Sequence, residues 1–567
     1  MSAGRRRFVL VDPCLTGRGA HPFHFAREVL AAAAARGCDC TLAAWHGFSP
    51  DDCPATWRVH TPFRHTSYSK YTAFGELDAL DEGGRVPLAW RLPPSAWWRE
   101  RRREQRIAAF AEDVRPAIAG LNPGDVVLLA TASELEAAGL ARAIADLEPP
   151  RGIGWHVLFH FPIYRGFGPE FPTQDRRLEP TRRRLHEAVQ RAVPHVIHWH
   201  TTTPELACQY ARILPGPVAD LPYPIPQLQD RASRRAGPLR AVSLGDARPE
   251  KRSATLPDIV AACHAALPGS LEFAIQTNLG FPAGSRHPEH EAVRTAIDEL
   301  RRLAERGQQI DLLGGPLDAP AYAAELLRAD AVLLPYDQDR YRSRCSGVML
   351  EALAAAATPI VTGGGWMARQ LAEPLRLHAE SLAARGRPLH DERISGPRPT
   401  RERPFVLPLA TGLQGCGVDQ HGIVVVESRW SLREDASLHA VPVRIAVGGG
   451  GPRPATMLSP DVEGRPAVAC FALAPADIAT GGLRLEFQPG CLATTAEPEE
   501  LRVRCLAAEG PLPTSAVGIV VDSPADVVAA LGEFTRHAAH YRETAAAHAP
   551  LVREACSGTA VVDRLLP

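Results

Sequence analysis

Lysine is almost missing from this chain, with two in 567 residues, Lys70 and Lys251. Arg, Ala and Pro abound, a bias of the kind that genomic GC content imposes. Such a bias favours Arg wherever Arg would serve, so Lys251 stands out. Net charge is nearly absent as well, at −1. A chain so balanced has no overall pull towards nucleic acid or anionic lipid. No window approaches eighteen apolar residues without charge, which excludes a predicted membrane-spanning helix. The opening MSAGRRRFVLVDPCL has basic residues, but its short apolar run turns at once into Asp12-Pro13. It reads as a first strand rather than a signal peptide, and the expectation is a cytoplasmic protein. The twelve cysteines lack metal-binding spacing, and Cys38 and Cys40 are one residue apart, which fits neither a zinc knuckle nor a redox pair. Buried reduced thiols are expected, and neither a metal nor any other cofactor.

What is present is length and alternation. With 567 residues, 45% of them hydrophobic, the chain exceeds a single core. Phe8 to Val11 reads as a strand, followed by an amphipathic helix over 21–35. Further strands are read at 126–130, 155–160 and 196–200, with helices starting near Ser133 and Thr203. Strands separated by helices imply a parallel sheet. Residues 220–239 (DLPYPIPQLQDRASRRAGPL) have no period and read as a linker. A second α/β series follows, with strands at 240–244, 271–275, 310–313, 331–334 and 359–361. From about Leu371 the alternation gives way to extended segments such as GIVVVESRW and AVACFALA, which suggests a β-sandwich. The α/β pattern resumes at Gly518. The predicted fold class is thus α/β, two Rossmann-like domains with an all-β sandwich-like insertion in the second. The predicted division is 1–220, a linker over 221–239, 240–370, the insertion over 371–514, and 515–567 completing the second domain.

The densest chemistry lies in AVLLPYDQDRYRSRCSGVMLEALAAAATPIVTGGGW, residues 331–366. A strand, an arginine-rich loop and a helix N-terminus in succession form the part of an α/β sheet that commonly holds phosphates. Earlier, LGDARPEKRSATLPDIV places Arg248 and Lys251 three apart in a loop after a strand. That spacing lets a guanidinium fork and a point charge converge on one diphosphate; a solvated loop with two surface charges is the bland alternative. Glu351 lies on a helix whose neighbours are nearly all apolar. A buried carboxylate needs partners, and ribose hydroxyls would serve.

LGDARPEK, the LLPYDQDRYRSRCSGVMLEALAAAATPIVT segment and the later GIVVDSPADVVAAL together resemble the C-terminal domain of retaining nucleotide-sugar glycosyltransferases of GT-B fold, glycosyltransferase family 4 above all. The resemblance runs from the linker to Met367 and through the final fifty residues or so. It is weak in the first domain and absent from the insertion. It implies that Arg248 and Lys251 bind the donor diphosphate and that Glu351, the second acid of an E-x7-E element, contacts the ribose. It also implies retention of anomeric configuration. The element's first acid is replaced by Ser343. Either Asp337 or Asp339 covers its task, or phosphate stabilisation suffices, or activity is lost. Arg344, with Arg342, would add positive charge at the leaving group, assisted by Ser346 and Gly347 at the helix N-terminus.

In the first domain, Gly17 and Gly19 separate the first strand from the first helix. A glycine turn there lets backbone N–H groups approach an anion, and the resemblance places this loop opposite the donor diphosphate. His21 and His24 read as capping or packed residues. His160 ends a strand and is a candidate for positioning the acceptor, or else a half-buried strand histidine. His198 and His200 alternate on one strand face without an acid or thiol to complete a metal set. The basic WWRERRREQR (97–106) reads as a solvated helix face; peripheral docking on anionic lipid at the inner membrane face is the alternative. Arg182, Arg183 and Arg184 also read as solvated. The functional expectation is transfer of a sugar from a nucleoside-diphosphate sugar to a saccharide, glycolipid or other hydroxyl acceptor. The alternative is a catalytically degenerate GT-B scaffold that binds glycan or protein.

Overall fold

The computed structural model describes residues 5–17, 21–81, 93–166, 171–229, 237–385, 387–393, 405–409, 421–432, 443–455, 457–459, 466–480, 482–487, 496–508, 513 and 515–566. The first domain is built on strands β1 (Arg7–Asp12), β2 (Asp39–Trp45), β3 (Arg58–Phe63), β4 (Val126–Ala132), β5 (Gly154–Phe159), β6 (Ile197–Thr201) and β7 (Val218–Asp220). They form one parallel sheet in the order β3-β2-β1-β4-β5-β6-β7. The order reverses between β1 and β4, and a crevice opens at such a switch point beyond the strand C-termini. β1 and β4 carry continuous apolar runs (FVLV, VVLLA) because helices cover both faces of the sheet.

The second domain repeats this plan with β8 (Leu239–Ser243), β9 (Leu271–Gln276), β10 (Ile310–Leu313), β11 (Ala331–Leu334) and β12 (Thr358–Thr362). Among the described residues, nine strands then intervene: β13 (Arg387–Arg393), β14 (Phe405–Pro408), β15 (His421–Leu432), β16 (Val443–Ala446), β17 (Arg453–Pro454), β18 (Met457–Ser459), β19 (Ala467–Leu473), β20 (Arg484–Phe487) and β21 (Ala496–Ala508). β22 (Ile519–Val521) then closes the parallel sheet, in the order β10-β9-β8-β11-β12-β22. The chain is therefore α/β with two Rossmann-like parallel sheets, and the β segments between β12 and β22 make two antiparallel sheets, β13-β21-β15-β19-β18 and β14-β20-β16-β17. Val424, Phe471 and Val503 of one and Ile445, Leu485 and Phe487 of the other join one buried cluster with Val242 and Leu334 of the second domain.

The extended character expected from Leu371 begins later. Residues Ala372–Arg385 form a helix, because Leu375, Ala379 and Leu382 recur at helical spacing and are all buried. The chain re-enters the α/β domain past two histidines. His378 bonds the Pro513 carbonyl and His540 the Ser515 carbonyl, each at 2.8 Å through Nε2.

The last helix, Gly558–Leu565, returns to the first domain, where Val561, Val562 and Leu565 pack with Phe8, Leu10 and Val29. Glycine is needed at its start: a Cβ at Gly558 would sit 2.0 Å from the Glu28 carbonyl oxygen. The two domains are thereby tied by the chain terminus as well as by the linker.

Candidate functional site

The switch point of the second sheet lies between β8 and β11, and the loops that follow these two strands carry the cations singled out above. After β8, Gly245 adopts φ +87°, and a Cβ there would meet Lys251 Nζ at 2.4 Å. The ammonium thus rests directly on the Gly245 backbone, which only glycine permits. Gly245 N–H donates to Gln276 Oε1 at 2.7 Å. A short 3₁₀ turn, Pro249–Lys251, carries Arg248 and Lys251 at its two ends. Arg248 pairs with Asp246 at 2.6 Å and lies 3.8 Å from Glu250. Asp246 also accepts from the Asn278 amide. Lys251 stands over the Tyr336 ring at 5.7 Å. Burial, then the Arg248 charge, push its ammonium down to about 8, against Asp246, Glu250 and Glu351. It remains charged at neutral pH but is easily discharged above it.

After β11, Ser346 caps the helix Gly347–Ala354 and accepts from Met349 N–H at 3.4 Å. Glu351 on that helix is 3% exposed, and Tyr322 donates its phenol hydrogen to Oε2 at 2.6 Å. Arg248 and Glu351 both lie within electrostatic range of Lys251. The Arg344 charge reaches Tyr341 and Tyr68, as the Arg248 charge does.

Ser343 is buried at the seam between the domains. Its carbonyl accepts from Thr203 Oγ1 at 2.7 Å, and its hydroxyl accepts from Gln209 Nε2 at 3.3 Å. Arg369 pairs with Glu205 beside it. The expected substitutes for the missing acid have local duties. Asp337 Oδ1 accepts from the N–H groups of Asp339 and Arg340, at 3.0 and 3.1 Å, and Arg252 pairs with its other oxygen. Asp339 pairs with Arg342 at 2.8 Å. Arg342 itself is buried, and its carbonyl accepts from Trp366 N–H and from Arg369. It belongs to the loop's scaffold.

Across the cleft, the end of β1 brings Asp12, buried and accepting from Cys14 N–H at 2.8 Å and Thr131 Oγ1 at 3.0 Å. Burial raises its carboxyl to about 7 against those two hydrogen bonds. Tyr68 senses both sides: Asp12 and Cys14 of its own domain, and Arg248 and Arg344 of the other. Tyr223 in the linker lies within electrostatic range of Asp12, Tyr68, Cys345 and Glu351. His160 follows β5, bonds the Ala130 carbonyl at 2.6 Å through Nε2, and packs near Phe25 and Tyr223. Burial pushes the imidazole down to about 4, against the Ala130 bond, so it is neutral. Gly17 stands in open space, with nothing within 4 Å of where a Cβ would lie. Gly19 lies outside the described residues, and so does the His21 side chain.

The remaining candidates separate from this place. His198 and His200 share a face with His156, whose Nδ1 lies 3.0 Å from His200 Nε2. Burial pushes His156 down to about 3 and His200 to about 4. Among the described residues no group of three or more His, Cys, Asp or Glu is placed to hold a metal ion. The helix Pro93–Ile118 exposes Trp97 and Trp98, with Arg101 lying over both rings at 5.3 and 5.8 Å. Its basic run is less solvated than expected, since Arg103 pairs with Glu76 and Glu100. Arg184 is likewise buried rather than solvated and pairs with Glu100, because the face of the helix Phe171–Ala192 that carries it packs inward. Sequence reasoning does not reach Asp246, Tyr322 or Tyr336; Asp246, two residues before Arg248, is the one with a visible signal.

No family model matches the chain, and no curated protein does. Solved structures do. An α,α-trehalose-phosphate synthase (UDP-forming) from Burkholderia vietnamiensis is 13% identical over 65% of this chain and 86% of its own, with a TM-score of 0.43. The sucrose-phosphate synthase of Thermosynechococcus elongatus is 14% identical over 67% and 90%, at 0.41. A trehalose-6-phosphate structure from E. coli bound with UDP-2-fluoro glucose is 12% identical over 65% and 86%, at 0.44.

Proposed function

We propose that the protein is a glycosyltransferase that moves a sugar, with retention, from a nucleoside-diphosphate sugar to a hydroxyl of a saccharide or glycolipid. The observation that carries this reading is that the loops after β8 and β11, which bring Arg248, Lys251 and the helix of Glu351, leave the switch point of the second sheet side by side, with Lys251 Nζ and Val348 both beside Gly245. A diphosphate there finds a guanidinium already oriented by Asp246, an ammonium seated on Gly245 and the N-terminus of the helix Gly347–Ala354. As the glycosidic bond to phosphate breaks, negative charge grows on the diphosphate. Arg248, Lys251 and Arg344 stabilise that charge in place of a metal, and fixed donors of this kind need no reorganisation at the moment of reaction. Glu351 holds the ribose, Ser346 and Gly347 open the helix towards the phosphates, and Gly17 faces them from the first domain. His160, neutral and directed by Ala130, positions the acceptor hydroxyl. The exposed Trp97–Trp98 pair with Arg101 favours peripheral contact with a membrane surface on the cytoplasmic side, which suits a lipid-linked acceptor.

The second reading is a catalytically degenerate scaffold of the same fold that binds glycan or a partner protein. Ser343 favours it, since the hydroxyl that replaces an acid is turned to Gln209 of the other domain. A thermal-shift screen with UDP, GDP, ADP and their sugars, followed by a transfer assay with mixed saccharide and glycolipid acceptors, separates the two. A tight nucleotide raises the melting temperature by mass action, and Arg248→Ala and Glu351→Ala should each abolish the rise. No rise with any nucleotide rejects the donor site. Binding with neither release nor transfer of sugar supports the scaffold.

A further inference from the structure

The loop after β3 is held tightly and yet leaves one large ring in the open. Ser67 is fully buried: its hydroxyl donates to the Thr131 carbonyl at 2.8 Å, and its N–H lies 3.3 Å from Cys14 Sγ. Arg106 donates to the Thr66 carbonyl, and Arg103 to the Tyr71 carbonyl at 2.9 Å. Thr131 is at the end of β4 and Cys14 just past β1, so the loop is fixed beside the switch point of the first sheet. Tyr68, between these anchors, is 57% exposed. Its ring meets that of Phe161 edge to face at 5.2 Å, and Phe161 stacks in turn on Phe74 at 4.4 Å. Phe161 follows His160, with the two rings 6.3 Å apart. Asp12 and Cys14 of its own domain, and Arg248 and Arg344 of the other, are within electrostatic range of Tyr68. An exposed ring in range of charged groups on both domains lies at the cleft, not on the outer surface. Leaving such a ring in water forgoes its burial energy, and a loop this constrained presents it to a ligand with little further cost in ordering.

The face of an aromatic ring is electron-rich, so it attracts the weakly positive hydrogens of C–H bonds. A pyranose presents such hydrogens together on one face and keeps its hydroxyls at the rim. We propose that Tyr68 is the stacking platform of the acceptor site, and that the acceptor is a saccharide bound through the C–H face of a pyranose ring. Phe161 and Phe74 buttress the platform. Tyr68 sets the plane of the sugar, and His160, next to Phe161, meets a hydroxyl at its rim. The proposal rests on the glycosyltransferase reading above and narrows its acceptor to one recognised by a sugar ring rather than by a lipid chain.

Saturation-transfer NMR tests it with methyl β-glucoside, methyl β-galactoside and methyl α-mannoside, with glycerol as the hydroxylic control. The full chain, Tyr68→Ala and Tyr68→Phe are compared with and without UDP, and UDP, GDP and ADP are titrated into each by calorimetry. At least one glycoside should bind, glycerol should not, and saturation should be strongest at the hydrogens of one ring face. Tyr68→Ala should weaken that glycoside about tenfold or more and Tyr68→Phe about twofold or less, with nucleotide affinity within about twofold in both. The proposal is overturned if no glycoside binds, if saturation is even over both faces, or if Tyr68→Ala binds as the wild type does. A loss in Tyr68→Phe as large as in Tyr68→Ala assigns the contact to the hydroxyl and overturns stacking. A tenfold or so loss of nucleotide affinity in Tyr68→Ala moves the ring to the donor side and overturns it too. A wild type that binds a glycoside through Tyr68 but no nucleotide rejects the donor-site reading alone and leaves a saccharide platform on the first domain.

Discussion

The two parallel sheets end in crevices of the same design but opposite electrical character. At the first sheet, burial weakens the charge of the titratable groups: the Asp12 and Glu134 carboxyls are raised to about 7, so that each is partly protonated at neutral pH, and His160 is lowered to about 4 and is neutral. At the second, Arg248 and Lys251 keep their charges at neutral pH, held by Asp246, Glu250 and Glu351. The difference comes from partners as well as from depth, since Asp12 is 1% exposed and the Arg248 side chain 41%. Asp12 has only a backbone N–H and a threonine hydroxyl, whereas Arg248 has a carboxylate at 2.6 Å. For Asp12, bonds to neutral dipoles do not offset the desolvation of the buried charge, while a directly bonded counter-charge supports that of Arg248. One wall of the cleft is therefore weakly charged and the other cationic, which is the division that the proposed acceptor and donor sides require.

Ser343 offers the largest test of this contrast. If the charged wall ends at the domain seam, an acid at 343 lands against Thr203 and Gln209, where the neighbouring cation, Arg369, is already paired with Glu205. Ser343→Glu should then lower stability by about 2–4 kcal/mol, read by denaturant unfolding, and give no gain in transfer. A stable and more active Ser343→Glu protein would place the charged wall further along the loop. His160 tests the neutral wall. His160→Ala should reduce transfer by about tenfold while leaving nucleotide affinity within about twofold; weaker nucleotide binding would move His160 to the donor side.

The smallest expected effect is in the pH dependence. Lys251 titrates at about 8 in the free protein, and a bound diphosphate favours its protonated form. Affinity for a nucleotide sugar, whose diphosphate diester has no proton to lose near neutrality, should be full below that pH and fall as pH rises through it. Lys251→Arg should remove the fall, because a guanidinium stays charged over this range. A flat profile in the wild type would mean that Lys251 does not touch the diphosphate.

Much of the second domain is legible in the sequence because its signals are local. The cations of LGDARPEK are three residues apart, and the apolar run around Glu351 announces burial within one helix. What stays hidden depends on distant chain meeting in space. Tyr322 and Glu351 are on different helices, and nothing near Tyr322 in the sequence shows that its hydroxyl is bonded to an acid. β3 escapes because it is a half-exposed edge strand, RVHTPF, with neither alternation nor an apolar run. Ser343 is visible as the missing acid, but its duty at the domain seam depends on Thr203 and Gln209, which only the fold brings near. The helix at 372–385 is masked although Leu375, Ala379 and Leu382 carry its period, since the extended segments beyond it dominate that stretch.

The most direct test of the two-walled cleft is calorimetric titration of UDP, GDP and ADP into the wild type, Arg248→Ala and His160→Ala. Loss of a charge-assisted contact of about 2–3 kcal/mol predicts that the best nucleotide binds Arg248→Ala about thirtyfold to a hundredfold more weakly. His160→Ala should bind it as the wild type does. Equal affinity for the wild type and Arg248→Ala would contradict the account, because the anion would then bind somewhere other than the charged end of the second sheet.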